Sequence, residues 1–197
     1  MDRFRREETS PALRNPQSVT LVLTSDSRFP GLESRLLFSE ELTPVCAPSV
    51  LETNRTWIAG CELTPTELKN YTLLHSDTCT INWGAWLEGV GAEDVLLNAS
   101  NAYFDSCMLS YAAAIEGLGF AVANLRYMAP SIAAGTLIAP FHSILQSGYG
   151  WYLVYPKRNE KLARVTEFES WISGQAMQST EILDRSLDGN VHLSIGV

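Results

Sequence analysis

Short runs rich in β-branched residues alternate with segments of helical period from Val19 to Gly174, and this alternation constrains the fold more than any other feature of the chain. Strands that alternate with helices bury their apolar faces as α/β layers, mainly with parallel strands. Val19 to Leu23 is the first such run. Arg35 to Phe38 and Leu42 to Cys46 read as two short strands stopped before Pro48. Thr64-Pro65-Thr66-Glu67 has the pattern of a capping box with proline in the first helical turn, so a short helix is expected from Pro65 to Asn70. Tyr71 to His75 follows as a buried strand, and Trp83, Trp86, Leu87 and Val90 recur at helical spacing up to Gly91.

A strand is expected near Val95 to Asn98. Asp105 reads as the N-cap of a helix that carries Met108, Ala112 and Ile115 on one face and stops at Gly117. Phe120 to Ala123 is the next strand, Ile132 to Ala134 a short helix opened by Pro130, and Trp151 to Tyr155 a strand stopped by Pro156. The last helix carries Leu162, Val165, Phe168 and Ile172 on one side and ends at Gly174. Residues 175–197 are polar and weakly patterned and read as a flexible or peripheral tail.

With 197 residues, the chain has room for one domain or two small lobes. Its 14 basic and 22 acidic residues leave a net charge of −8, the wrong sign for a surface that neutralises phosphates, so this chain alone is expected to bind nucleic acid poorly. The run RFRREE at 3–8 nearly cancels its own charge and reads as a solvated helix end. The N-terminal segment lacks the apolar stretch of a secretory signal, and the apolar run at 118–122 is far shorter than the roughly 20 residues that span a bilayer. A soluble cytoplasmic protein is the expectation. Cys46, Cys61, Cys79 and Cys107 contain no closely spaced pair of the zinc or thioredoxin type and read as reduced and mostly buried.

Several segments together resemble the effector-binding domain of LysR-type transcriptional regulators, in the branch of the glycine-cleavage and β-lactamase regulators. They are FPGLESRLLFSEELTPVCAP at 29–48, LLHSDT at 73–78 with WGAWLEGVG at 83–91, AAAIEGLGFAVA at 112–123, IAAGTLIAPF at 132–141 and YLVYP at 152–156. The resemblance covers about 29–173. It implies a periplasmic-binding-protein-like fold, with two α/β lobes joined by two crossover strands and a small-molecule pocket in the cleft. Lobe I is then 1–47 with 149–174, lobe II is 48–148, and 175–197 is the tail. The winged helix-turn-helix of the family has no counterpart here. Residues 1–11 resemble only the end of the first lobe I helix, so lobe I is expected to be incomplete at its N-terminus and the chain truncated.

Positions matching the family cleft give Thr24, Ser25, Ser76, Asp77, Thr78, Asn101, Tyr103, Ala123, Asn124, Tyr149 and Trp151 as candidate effector-binding residues. Hydroxyls, amides and aromatic faces at strand ends suit a polar organic effector better than a metal. His75, Asp77 and Cys79 would share one face of a strand, but a nucleophile needs an oriented base and an oxyanion site, and zinc needs a fourth ligand; strand-end packing is the simpler reading. Trp83 and Trp86 read as core. No phosphate loop, nucleophile elbow or metal-spaced His/Glu motif is present in the sequence.

The expectation is therefore a regulatory domain that senses a small molecule, has no catalytic residues, metal or cofactor, and assembles as a homodimer or higher oligomer. It would reach DNA only through a region outside this sequence. A transport-type solute-binding protein and an enzyme on the same scaffold are the two alternatives.

Overall fold

Two long strands, β2 (Leu32–Val45) and β6 (Leu145–Pro156), carry the chain between the two units into which it divides. In the computed structural model the described residues are 19–24, 29–52, 63–76 and 83–188. Unit 1 comprises Met1–Glu40 with Gly148–Gln178, and unit 2 comprises Glu41–Ser147 with Ser179–Val197.

In unit 1, β1 (Thr20–Thr24) runs antiparallel to β6, with Thr20 opposite Val154 and Thr24 opposite Gly150, and the strand order is β1-β6-β2. Helix α6 (Ala163–Asp188) starts against this sheet. Leu153, Tyr155 and Val165 form the small buried core, supported by Val19, Leu37 and Ile172.

Unit 2 holds the larger core. Its sheet has the order β2-β5-β3-β4, with β3 (Thr72–Ser76) parallel to both β4 (Ser100–Phe104) and β5 (Phe120–Asn124), and the end of β2 antiparallel to β5. The period-two alternation sorts each strand between two layers. Leu42, Leu73, Phe120 and Val122 face a cluster with Trp83, Trp86 and Leu87 of α2 (Trp83–Gly89), while α1 (Pro48–Glu52) and α3 (Val95–Asn98) supply Leu51 and Val95. Val45, Leu74, Ala121 and Ala123 face the opposite cluster, built with α4 (Cys107–Ile115), α5 (Leu125–Ala133) and the last turns of α6. Both tryptophans are core, as the sequence suggests. Their indole N–H groups keep partners on burial, Trp83 donating to the Leu74 carbonyl at 3.1 Å and Trp86 to the Ser143 carbonyl at 3.2 Å.

Helix α4 stops where glycine was expected to stop it. Gly117 is left-handed at φ +82°, its N–H bonds the Ala114 carbonyl at 3.1 Å, and the Leu118 N–H bonds Ala113 at 3.0 Å, which is a Schellman ending. The short helix Pro65–Asn70 is a 3-10 helix. The Glu67 carboxylate accepts from the Thr64 N–H and from the Thr64 hydroxyl, both at 2.7 Å, and these bonds hold its pKa below the ordinary carboxylate value.

Several expectations change. Val95–Asn98 is a turn of helix, and the strand follows it at Ser100–Phe104; Asn98 donates to the Asp94 carbonyl at 2.7 Å and closes the turn that four apolar residues alone cannot distinguish from a strand. The two segments at 35–38 and 42–46 are one continuous strand. The helix expected at 132–134 begins earlier, at Leu125, with Pro130 inside it. Sheet pairing is mixed, antiparallel in unit 1 and parallel around β3.

Helix α6 does not end at Gly174 but continues to Asp188, because Ala176 and Leu183 extend its apolar stripe and Leu183 is buried in unit 2. A flexible tail from residue 175 is therefore incorrect up to 188. Cys46 is free and its burial pushes the thiol pKa up, but Cys107 is in a disulfide whose other half lies outside the described residues, which corrects the all-reduced reading. Cys61, Cys79 and the segment at 3–8 also lie outside the described residues.

Candidate ligand-binding site

Because β5, β3 and β4 are parallel neighbours, their C-terminal ends share one edge of the unit 2 sheet, the position at which α/β sheets present ligand-binding groups. Two nine-residue helices start from this edge. Ser106, two residues beyond β4, caps α4 through its hydroxyl, which accepts from the Met108 N–H at 3.1 Å. Asn124, the last residue of β5, caps α5 through Oδ1, which accepts from the Arg126 N–H at 3.0 Å. The positive ends of both helix dipoles thus lie at the same sheet edge. The expected cap, Asp105, is exposed and stands one residue before the actual cap.

Asn124 is only 1% exposed, and its Nδ2 has no hydrogen-bond partner. The orientation of the amide is settled by its oxygen, since only Oδ1 can accept from the Arg126 N–H. A buried amide N–H2 is therefore left as an unused donor at the end of β5. Arg126 holds the first turn of α5 in place: its guanidinium meets the Glu41 carboxylate at 3.3 Å and the Thr180 hydroxyl, while Gln146 donates to the other Glu41 oxygen at 3.1 Å.

A second group stands on β3 and β4. The Asn101 amide nitrogen donates to the Ala99 carbonyl at 3.0 Å and the Leu96 carbonyl at 3.4 Å, so its oxygen faces the His75 Nε2, 2.6 Å away. His75 must then carry its proton on Nε2. Its ring stacks on Tyr103, centroids 4.7 Å apart and planes 21° apart, and lies 6.5 Å from Trp83. Tyr103 remains 73% exposed, so a fixed aromatic surface faces solvent beside the outer strand.

The structure thus brings Ser76, Asn101, Tyr103 and Asn124 onto the strands of unit 2. Ala123 is fully buried in the core cluster, its methyl turned toward the helices. Thr24 ends β1 in unit 1, and Tyr149 and Trp151 lie on the part of β6 that belongs to unit 1. Ser25, Asp77 and Thr78 lie outside the described residues. The part that sequence reasoning missed is the His75 and Asn101 pair. Its signal was present in the period-two polar positions on two neighbouring strands, but only the register, Leu73 opposite Asn101 and His75 opposite Tyr103, joins them. Among the described residues no group of His, Cys, Asp or Glu could hold a metal ion, and no helix is long and apolar enough to cross a membrane.

Residues 11–195 match the family described as the LysR substrate binding domain. The glycine cleavage system transcriptional activator of Escherichia coli K12 is 31% identical over 153 residues, covering 78% of this chain and 48% of that protein. The HTH-type transcriptional activator AmpR of Enterobacter cloacae is 27% identical over 142 residues, covering 72% of this chain and 45% of that protein. The chain therefore spans about half the length of the curated relatives it matches. Among solved structures, the effector domain of the transcriptional regulator AmpR of Pseudomonas aeruginosa superposes with a TM-score of 0.61 at 22% identity, covering 85% of this chain and 75% of that one. The CrgA regulatory domain of Neisseria meningitidis, a LysR-type regulator, gives 0.55 at 16% identity over 79% and 74%. These likenesses show the periplasmic-binding-protein-like fold.

Proposed function

The chain belongs to the LysR substrate-binding domain family, and from that premise we propose that it is the effector-sensing part of a LysR-type transcriptional regulator, binding a small polar organic molecule at the strand ends of unit 2. The observation that carries this reading is the buried, unpaired amide donor of Asn124 at the start of α5. Leaving such a donor unsatisfied costs about 1–3 kcal/mol, and a bound acceptor oxygen recovers that cost. On β4, Asn101 and Tyr103 add a fixed amide and an aromatic face on the sheet face that Asn124 shares by register, and Ser76 ends β3 between them on the other face.

Binding acts by population shift: the effector favours whichever arrangement of the protein it binds more tightly, and the difference in affinity is the whole signal. DNA recognition belongs to a helix-turn-helix region outside this sequence, in keeping with the chain's net charge of −8. The protein works in the cytoplasm, as a binder and not a catalyst.

A second copy of the chain is its partner. Support comes from α4, whose outer side is apolar where a solvated helix would be charged: Met108, Leu109, Ile115 and the following Leu118 are 67, 55, 37 and 56% exposed. The strand β4 adjoins it and is the last of the sheet among the described residues.

The test is a thermal-shift screen of the full chain against small organic acids, amino acids, amines and sugars, repeated on Asn124→Ala. The reading expects at least one compound to raise the melting temperature of the natural protein and to lose most of that effect in the variant. Stabilisation by none of these classes, or equal stabilisation of the variant, would overturn it. Sedimentation equilibrium checks the partner: a dimer is expected, weakened by Leu109→Glu, and a monomer at all accessible concentrations contradicts it.

A further inference from the structure

Unit 1 contains a polar depression of about 430 Å³ between β2 and the first turns of α6, within the size range of small-molecule sites. Its floor is an ordered relay. Tyr155, on β6 and 1% exposed, donates its hydroxyl hydrogen bond to Glu169 Oε2 at 2.8 Å, and the other oxygen of Glu169 pairs with the Arg35 Nε. The Glu169 carboxylate is thus occupied on both oxygens and fixes the inner edge of the Arg35 guanidinium. Arg35 is also hydrogen-bonded to the Tyr155 hydroxyl, and the guanidinium N–H groups that remain are donors that suit a carboxylate.

Of the other lining groups, the Thr166 hydroxyl is spent on the Glu160 and Leu162 carbonyls, and the rest are not. Among the described residues, Lys161 and the Glu160 carboxylate form no ion pair or hydrogen bond, and neither do the hydroxyls of Ser170 and Ser173, one helical turn apart on α6. Charges can then be sorted. Arg35 and Glu169 cancel as an ion pair, which leaves Lys161 as the uncompensated positive charge and Glu160 as the uncompensated negative one, with the outward N–H groups of Arg35 adding hydrogen-bond donors. A dianionic phosphate would meet Glu160, and a simple amine would meet Lys161 and Arg35. A molecule with one carboxylate and one ammonium a few ångströms apart satisfies both ends.

We propose that this depression is a second small-molecule site, independent of the strand-end site in unit 2, which takes an α-amino acid zwitterion with its carboxylate on Arg35 and Lys161 and its ammonium on Glu160. Ser170 and Ser173 face the amino acid side chain, favouring small or polar ones.

The experiment uses ¹⁵N-labelled full chain titrated with L-alanine, and separately with propionate and ethylamine, which each keep one end of it. The expected result is saturable shifts at the amides of 160–161 and 170–173 with alanine, and binding of either half weaker by about tenfold. Lys161→Met and Glu160→Gln, both at exposed positions, should each weaken alanine binding by about threefold, the size of one exposed ion pair, with the melting temperature unchanged. Four results overturn the proposal: no saturation up to about 50 mM, propionate binding as well as alanine, unchanged affinity in both variants, or alanine shifts confined to 101–103 and 124. The last result would place alanine in unit 2 and leave the regulator reading standing.

Discussion

Replacing Gly119 with alanine tests the packing that positions the strand-end site. Gly119 sits between the Schellman ending of α4 and the first residue of β5, with φ +158°. A Cβ built there would lie 2.2 Å from the Thr72 carbonyl oxygen and 3.0 Å from its carbon, about 0.8 Å inside the 3.0 Å that such contacts essentially never breach. The nearest atoms are backbone, at the first residue of β3, and cannot swing aside as a side-chain tip can. Either β3 or β5 must move by most of that shortfall, across a pairing that seats Leu73 against Phe120, both fully buried.

Overpacking against such a contact costs roughly 3 kcal/mol, at the upper end of the usual range. With a urea dependence of about 2 kcal/mol per molar, the midpoint should fall by about 1.5 M. Gly135→Ala is the control: φ is +71° but the added Cβ meets nothing within 4 Å, so only the left-handed backbone penalty of about 1 kcal/mol applies. If urea unfolding puts the two variants within about 0.5 kcal/mol of each other, the close approach of β5 to β3 is wrong.

Leu183→Ala should cost about 2–5 kcal/mol by the same assay, because Leu183 is 3% exposed in the unit 2 core; a change near zero would restore the loose tail. Gly174→Ala, inside α6 with open space around the new Cβ, should stabilise the protein by up to about 1 kcal/mol and raise its helical circular dichroism signal. Glu67→Gln should cost about 0.5 kcal/mol at neutral pH. Since Glu67 is held below its ordinary value of 4.5, its contribution is fully present above that pH and disappears as pH falls through the lower folded value. The variant and the natural protein should therefore converge in stability in acid, and a constant gap down to about pH 2 would contradict the capping account.

Elements with a strong local signal were readable in the chain. Trp83 and Trp86 at helical spacing, Gly117 at a helix end and the Thr64 to Glu67 pattern each specify their conformation through near neighbours, and each is found as expected. Elements decided by tertiary context were not. Val95–Asn98 is apolar enough for either a strand or a helical turn, and its partners on the 3-10 helix and α2 select the helix. Gly174 is a poor helix residue, yet the burial of Ala176 and Leu183 beyond it outweighs a propensity cost of about 1 kcal/mol.

The candidate site divides in the same way. Asn124 and Tyr103 could be named from polar residues at strand ends, but the spare donor on Asn124 follows from where its oxygen is spent. The His75 tautomer likewise follows from two carbonyls that hold the Asn101 amide.

The most direct test of the central claim is the footprint of a stabilising ligand on the full chain by ¹H–¹⁵N NMR, read at both backbone and side-chain amides. The account predicts saturable shifts of the Asn101 and Tyr103 amides together with the Asn124 side-chain N–H2, which should move downfield as it gains an acceptor. A ligand that stabilises the protein but leaves all three unmoved would contradict it.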